Sequence, residues 1–218
     1  MLKSGFYCMD CMEAMREFPD DFFELAIVDP PYGINITGRK KPDGNCQIGK
    51  SGRVYHAFDD TAIPDRLYFD ELRRISKNQI IWGGNYFTDY LPPSSCWVCW
   101  DKDRADGLDF ADGELAWTSF KKPMRIYHLR YGGNELNPKR REERIHPTQK
   151  PVSLYKWLLG KYAEKGDKIL DTHVGSASSL IACYQMGLDY WGFEIDQVFY
   201  KDASERLDNA KAQISLFD

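Results

Sequence analysis

The chain has 218 residues, 43% hydrophobic and 28% charged, with a formal net charge of −4. This is the balance of an ordinary soluble globular protein, long enough for one α/β domain or one domain with a small insertion. No apolar run is long enough to span a membrane, Met1 to Asp10 lacks the basic-then-apolar form of a signal peptide, and no global basicity announces a nucleic-acid partner. A cytoplasmic protein is the expectation.

Gly5–Met9 and Leu25–Asp29 read as strands. Ile34 to Phe58 reads as a long polar loop with Gly38, Gly44, Gly49 and Gly52. A loop of that length in a compact domain is usually functional or mobile. It carries Arg39, Lys40, Lys41, Lys50 and Arg53 against a single acid, Asp43. A helix is expected over Pro64–Ile75, with proline in its first turn and Leu67, Phe69 and Leu72 on its apolar side. Gln79–Trp82 and Trp97–Trp100 are strand-like, and their tryptophans, with Trp117, are expected in the core. Asp101, Asp103, Asp106, Asp109 and Asp112 alternate like metal ligands, but no closing glutamate sits at EF-hand spacing, so a solvated loop is preferred. Glu114 to Arg130 has the pattern of a β-hairpin. A second basic cluster follows at Lys139, Arg140, Arg141 and Arg144. Helices are then expected at Pro151–Ala163, Ser176–Met186 (stopped by Gly187) and Val198–Gln213, alternating with strands at Lys168–Asp171 and Tyr190–Glu194. Such alternation implies a parallel sheet covered on both faces.

Two Cys-x-x-Cys pairs, Cys8/Cys11 and Cys96/Cys99, invite a zinc reading. Structural zinc pairs sit on tight knuckles, whereas Cys96 to Cys99 lies in a strand-like run whose residues three apart face opposite ways. Free thiols are expected, and no metal.

Asp29-Pro30-Pro31-Tyr32 follows the apolar run Leu25-Ala26-Ile27-Val28, which delivers it to the C-terminal end of a strand. That edge is where open α/β sheets bind ligands. Two prolines fix φ twice and offer no N–H donors, so nearby carbonyls are free to face a ligand. Asp29 adds a carboxylate acceptor and Tyr32 a flat ring, together suited to an amino group on an aromatic base. Further on, Lys168-Ile169-Leu170-Asp171 runs into a Gly175-Ser176-Ala177-Ser178-Ser179 turn that opens a helix. Glycine allows close backbone approach, and helix N–H groups favour an anion. About twenty residues on, Glu194 ends the next strand, the usual place for a partner of ribose hydroxyls. Asp196 competes, but is expected to cap the helix that begins near Val198.

These segments resemble the amino-methyltransferase family that modifies adenine N6 or cytosine N4 in DNA, in the circularly permuted (β) order with the catalytic half first. Asp29-Pro30-Pro31-Tyr32 matches its catalytic motif, and Asp10-Cys11 the place where an acid meets the cofactor adenine. His146-Pro147-Thr148-Gln149-Lys150-Pro151 matches the motif opening the helix before the cofactor strand, and Asp171-Thr172-His173-Val174-Gly175-Ser176 the methionine-binding loop. Gly192-Phe193-Glu194, with Ile195 beside it, matches the ribose-binding strand end. The loop departs from the family's Asp-Pro-Phe-x-Gly-Ser-Gly at Thr172, His173 and Ala177. Since alanine does not favour a left-handed φ, a slightly different cofactor loop is expected.

The resemblance implies a Rossmann-like α/β fold: a mixed, mostly parallel sheet with one antiparallel hairpin strand and helices on both faces. It implies a single domain over 1–218, with a catalytic half 1–145, containing a mobile DNA-facing loop at about 34–58 and a small recognition region at about 101–145, and a cofactor half 146–218. The strands near Leu25–Asp29 and Lys168–Asp171 should be neighbours. S-adenosyl-L-methionine is the implied cofactor, held by Asp10, Cys11, Asp29, His146, Thr148, Lys150, Asp171, His173, Gly175, Ser176, Glu194 and Ile195. Asp29, Pro30, Pro31 and Tyr32 are the implied catalytic residues. Double-stranded DNA is the implied partner, its phosphates met by Arg39, Lys40, Lys41, Lys50, Arg53, Lys139, Arg140 and Arg141. The small recognition region implies a short or loosely read site. A homodimer and a bacterial or phage origin fit the same resemblance. Asp29 at the first motif position favours adenine N6 over cytosine N4, where serine is commoner. Alternatives are a catalytically silent DNA-binding protein, or methylation of RNA or protein glutamine, for which asparagine is usual at that position. Gln213-Ile214-Ser215-Leu216-Phe217 resembles the peptides that hold the bacterial sliding clamp, with Leu216 and Phe217 as anchors and Gln213 at the rim; a terminal turn packed on the core is the competing reading.

Overall fold

The computed structural model describes residues 1–36, 43–47, 54–103, 111–130 and 142–215. In chain order the elements are β1 (Gly5–Cys8), α1 (Cys11–Met15), β2 (Phe23–Val28), β3 (Asn45–Gln47), β4 (Val54–His56), α2 (Arg66–Ile75), β5 (Ser76–Trp82), a 3-10 turn (Gly84–Tyr86), β6 (Trp97–Asp101), β7 (Gly113–Thr118), β8 (Arg125–His128), α3 (Val152–Tyr162), β9 (Lys168–Asp171), α4 (Ser178–Gln185), β10 (Asp189–Glu194) and α5 (Gln197–Ser215). Eight strands make one sheet in the order β1-β10-β9-β2-β5-β7-β6-β8. Only β7 opposes its neighbours; every other pairing in the sheet is parallel. β2 and β9 are neighbours, as expected, with Leu25 opposite Ile169.

Alternation along the central strands builds two cores. On β2, Leu25 and Ile27 point to one face, where α3, α4 and α5 pack. Ala26 and Val28 point to the other, against α1 and α2. A strand buried on both faces reads as a continuous apolar run, and this one does. Asp65 caps α2 by accepting from the Tyr68 N–H. The buried side of α2 is Tyr68, Phe69, Leu72 and Ile75, whereas Leu67 is 64% exposed. The apolar stripe is therefore rotated one residue from the expected one, because Tyr68 buries its ring and hydrogen-bonds its hydroxyl to Thr172.

Three further expectations are corrected. Residues 114–130 do not form a hairpin: β7 pairs with β5 and β6, and β8 lies beyond β6 and parallel to it. Ala116, Trp117 and Thr118 are buried in succession, which requires cover on both faces, whereas the exposed pattern of β8 suits a sheet edge. The stretch 34–58 is not simply a loop, because β3 and β4 pair antiparallel within it. Ala177 does adopt a left-handed conformation, φ 61° and ψ 20°. Its N–H donates to Val174 and its carbonyl accepts from Ile181, so the opening of α4 holds the strained residue in place.

Among the described residues no helix is long and apolar enough to cross a membrane. The six cysteines are free thiols; Cys96 is buried and Cys99 half-buried on the opposite side of β6.

The turn after β5 packs without clearance. A Cβ on Gly84 would lie 2.5 Å from the Trp117 Cβ and 2.9 Å from its backbone nitrogen. Neither atom can yield without moving β7. Gly84→Ala should destabilise the protein by about 1–3 kcal/mol, read as a lower urea midpoint with an unchanged m value. An unshifted midpoint would mean that this contact is relaxed.

Candidate functional site

The parallel strands β2, β5, β9 and β10 end on one edge of the sheet, and a cavity of about 750 Å³ opens there. It is lined from the β2 loop by Asp29, Pro30, Pro31 and Tyr32, from the turn after β5 by Gly83, Asn85 and Tyr86, and from β7 by Glu114. His146, Thr148 and Lys150 line it ahead of α3, His173, Gly175 and Ser176 after β9, and Glu194, Ile195 and Phe199 after β10. The ribbon formed by β3 and β4 contributes Phe58 and Asp60 just beyond it.

An ion-pair chain centred on a buried lysine lines the cavity. Lys150 is 4% exposed. Its Nζ donates to Asp29 Oδ2 at 2.5 Å and to the Tyr32 hydroxyl at 3.3 Å, and lies 3.0 Å from Glu114 Oε2. Lys102 reaches Glu114 Oε1 at 2.5 Å. Burial alone would raise the Glu114 carboxyl, but Lys150 and Lys102 outweigh it and hold that group down at about 2. Burial alone would lower the lysine, but Asp29 and Glu114 outweigh it and raise Lys150 above its ordinary value. The lysine is therefore charged and committed to carboxylates.

Tyr32 is fixed from several sides. Its hydroxyl donates to Asp29 Oδ1 at 2.5 Å, and its N–H to Asp60 Oδ1 at 2.8 Å. Asp60 also accepts from Gly33 and Ile36, so one carboxylate sets the course of the chain after the two prolines. Gly83 has φ +70°, and a Cβ there would lie 2.2 Å from the Tyr32 ring. Burial and then the Asp29 charge push the Tyr32 phenol well above its ordinary value, so it stays a donor.

At the other end, the Gly175 N–H donates to Glu194 Oε2 at 2.9 Å, and the Asp196 N–H to Oε1 at 3.0 Å. Burial raises the Glu194 carboxyl. Asp196 caps α5 by accepting from Val198 and Phe199, as expected, and also meets His56 Nε2 at 3.0 Å. That contact ties β4 to the strand end that carries Glu194.

The profile of the DNA methylase family matches residues 52–205. The chain belongs to the DNA methylase family. Among curated proteins it is similar to the putative methylase YubD of Escherichia coli (strain K12), 25% identical over 94% of this chain and 90% of that one. It is also similar to the type II methyltransferase M.HpaI of Haemophilus parainfluenzae, 22% identical over 93% and 73%. Among solved structures, M1.HpyAVI in complex with SAM superposes with a TM-score of 0.57 at 16% identity, over 92% of this chain and 98% of that one. The cytosine-N4-specific PvuII DNA methyltransferase superposes with a TM-score of 0.61 at 13% identity, over 98% and 93%. At these identities the solved structures speak for the fold alone, and that fold is the one described above.

As a DNA methylase, the chain brings most of the sequence-predicted site residues together. Asp29, Pro30, Pro31, Tyr32, His146, Thr148, Lys150, His173, Gly175, Ser176, Glu194 and Ile195 all line the one cavity. Lys150 meets Asp29 and Glu114 rather than an open space for a cofactor carboxylate. Asp10, Cys11 and Asp171 are not among the lining residues. Asp10 caps α1 through the N–H groups of Met12 and Glu13. Burial and the neighbouring Asp10 charge push the Cys11 thiol up to about 12. Asp171 accepts from the Ser179 hydroxyl and the His173 N–H, and so buttresses the loop from behind. Arg39, Lys40, Lys41, Lys50, Arg53, Lys139, Arg140, Arg141, Leu216 and Phe217 lie outside the described residues, and Gln213 is exposed near the end of α5. Sequence reasoning missed Asp60, Tyr86, Glu114, Phe58 and Phe199. No local pattern marks them, because each enters the site from an element whose neighbours are set by the sheet order.

Two histidines are held neutral. Burial, reinforced by Lys150, lowers His146 to about 3, and burial lowers His173 to about 4. The His146 ring packs 4.3 Å from that of Phe199 and 5.1 Å from that of Phe58. Burial raises Asp171 to about 7. Between pH 6.5 and 4 the unfolded chain binds a proton at each histidine, whereas the folded chain binds one at Asp171. The unfolded state therefore holds the excess, and these groups make stability fall on acidification. His146→Gln removes one of those protons. Below about pH 6 the variant should lose roughly 1.4 kcal/mol less per pH unit than the wild type. Equal slopes in pH-dependent urea unfolding would mean that His146 titrates in the folded protein.

Proposed function

We propose that the chain transfers a methyl group from S-adenosylmethionine to the exocyclic amino nitrogen of a base in DNA, and that the base is adenine, modified at N6. The observation that carries this reading is that one cavity joins the Asp29–Tyr32 corner to the Gly175–Glu194 end. The cavity is of a size for a nucleoside-type ligand together with a base. Its ends differ in the way such a pair requires: a glycine turn with a buried carboxylate on one side, a carboxylate beside an aromatic ring on the other. In this reading Glu194 accepts from the ribose hydroxyls, and the backbone at Gly175 and Ser176 faces the methionine portion. S-adenosylmethionine would supply, when bound, the electrophilic methyl carbon and leave as S-adenosylhomocysteine, while the methylated amine would lose one proton to solvent.

The base must leave the duplex stack to reach Asp29. An aromatic amine is a poor nucleophile because its lone pair is delocalised into the ring. Asp29 Oδ1 and the Pro30 carbonyl accept its two N–H groups, which localises the lone pair and aims it into the cavity. Asp29 Oδ2 stays on Lys150 throughout, whereas Oδ1 is released by the Tyr32 hydroxyl as the amine arrives. Lys150 thus holds the carboxylate in one orientation, and Glu114 balances the lysine. Positioning and electrostatics supply most of the rate. The basic residues of 34–58 and 139–141 meet phosphates, which position the duplex without reading it. Adenine rather than cytosine rests on the carboxylate at the first motif position.

The direct test is incubation with labelled cofactor and duplex DNA, RNA or protein, followed by nucleoside mass spectrometry. N6-methyldeoxyadenosine is expected; N4-methyldeoxycytidine would move the assignment to cytosine, and label in RNA or protein would overturn the DNA reading. Asp29→Ala should lower turnover by about 10²–10³-fold and leave S-adenosylhomocysteine affinity within a few-fold. Glu194→Ala should do the reverse, weakening that affinity by about 10-fold or more. Lost cofactor affinity with turnover retained in the Asp29 variant would exchange the two roles.

We also propose that Gln213, Leu216 and Phe217 engage a bacterial sliding clamp, which would raise the enzyme's local concentration on newly replicated DNA. A fluorescence titration with purified clamp should show binding that Leu216→Ala/Phe217→Ala abolishes. Binding indifferent to that double change, or none, would leave the segment as packing.

A further inference from the structure

Tyr86 is an unexplained feature of the cavity mouth. It ends the 3-10 turn after β5, and its ring stacks on Tyr32 with centroids 5.0 Å apart and planes at 16°. The two rings are held very differently. Tyr32 is fixed by Asp29, Asp60 and Gly83 as described, and the edge of Phe87 abuts it at 6.1 Å. Phe87 is fully buried and anchors the turn from below. Tyr86 is 43% exposed. Among the described residues its hydroxyl has no hydrogen-bond partner, and the Tyr32 ring is the aromatic surface it rests on. The mouth therefore has one wall fixed from several sides and one whose side chain is held by stacking, both flat and nearly parallel. An offset-stacked pair is a modest interaction that another flat ring can replace at little cost.

We infer that Tyr86 is the second wall of the target-base pocket: it occupies the stacking face of Tyr32 until a flipped base enters, then swings outward and covers the base's other face. The inference rests on the methyl-transfer reading and deepens it by assigning a base-binding residue. The chemistry selects the ligand. Asp29, whose Oδ1 lies against the Tyr32 hydroxyl, accepts hydrogen bonds, so the ring entering between the tyrosines must be planar and carry an amino group at its edge. Opening the pair to admit such a ring takes the centroids from 5.0 Å to about 7 Å, two stacking spacings. Gly83, at φ +70°, sits directly before the turn and leaves Tyr32 in place while the outer ring moves. Base stacking of this kind is indifferent to base identity, so Tyr86 contributes to capture, while the edge contacts at Asp29 decide which base reacts.

The test is the aromatic series at position 86 in the full-length enzyme, assayed on unmethylated genomic DNA with labelled S-adenosylmethionine. Tyr86→Ala and Tyr86→Leu should lower kcat/KM for DNA by about 10-fold or more. Tyr86→Phe and Tyr86→Trp should stay within about 3-fold of wild type. S-adenosylhomocysteine affinity should be unchanged across the series, because Tyr86 does not touch the Glu194 end, and Tm should fall by no more than about 2–6 °C in the alanine and leucine variants, the loss of one stacked ring pair. Leucine matching tyrosine, or phenylalanine failing with alanine, would overturn the stacking assignment, as would a parallel loss of cofactor affinity or a larger fall in Tm. Absence of wild-type transfer to DNA is a separate outcome that removes the methyl-transfer reading itself.

Discussion

The charge on Lys150 is the constraint on which the site depends. A buried ammonium is tolerated only when carboxylates meet it, and here they come from distant parts of the chain: Asp29 after β2 and Glu114 on β7. Each element is thereby placed by an electrostatic requirement as well as by packing. Removing the lysine would leave Asp29 without its cation and Glu114 with Lys102 alone; removing either acid would leave the buried ammonium with a single carboxylate. The Asp29–Tyr32 corner is thus not a loop resting on a scaffold. It is one member of an ion-pair chain that runs from Asp29 through Lys150 and Glu114 to Lys102. Asp29 has one oxygen engaged by the Lys150 ammonium and the other by the Tyr32 hydroxyl.

The single reversed strand makes that chain possible. β7 runs against β5 and β6, so its first residues, not its last, arrive at the edge where the parallel strands end. Glu114 is the second residue of β7. Had the strand run parallel, Thr118 would occupy that edge and the lysine would lack its second partner. The ribbon of β3 and β4 adds a different kind of constraint. It reaches one end of the cavity through His56 and Asp196 and the other through Asp60 and the backbone after Tyr32. The two ends are therefore joined through a segment that belongs to neither.

Much of the architecture was legible in order of residues. Runs such as Leu25–Val28 and Lys168–Asp171 are too apolar and too short for anything but buried strands, and their loops carry the acid, proline and glycine residues that sheet edges use. Side-chain alternation and helix caps also read locally: Asp196 caps α5 because an acid one residue before a helix meets its free N–H groups wherever the helix packs. The hairpin over 114–130 failed because periodicity identifies strands without naming their neighbours. The conformation of Ala177 failed for the opposite reason: a local preference of about 1 kcal/mol yields to the packing of a whole helix start.

By itself, then, the sequence determined the alternation of strands and helices, the placement of Asp29–Tyr32, Gly175 and Glu194 at strand ends, and the resemblance that those motifs carry. These follow from interactions within a few residues. The tertiary structure alone decided that Lys150 faces Asp29 and Glu114, that Asp60 steers the chain after the prolines, and that Tyr86 lies on Tyr32. Those pairings join residues separated by up to 121 positions, and they exist only once the strand order has been chosen. The order is set by the burial of whole sheet faces, a sum over many residues that no single segment encodes.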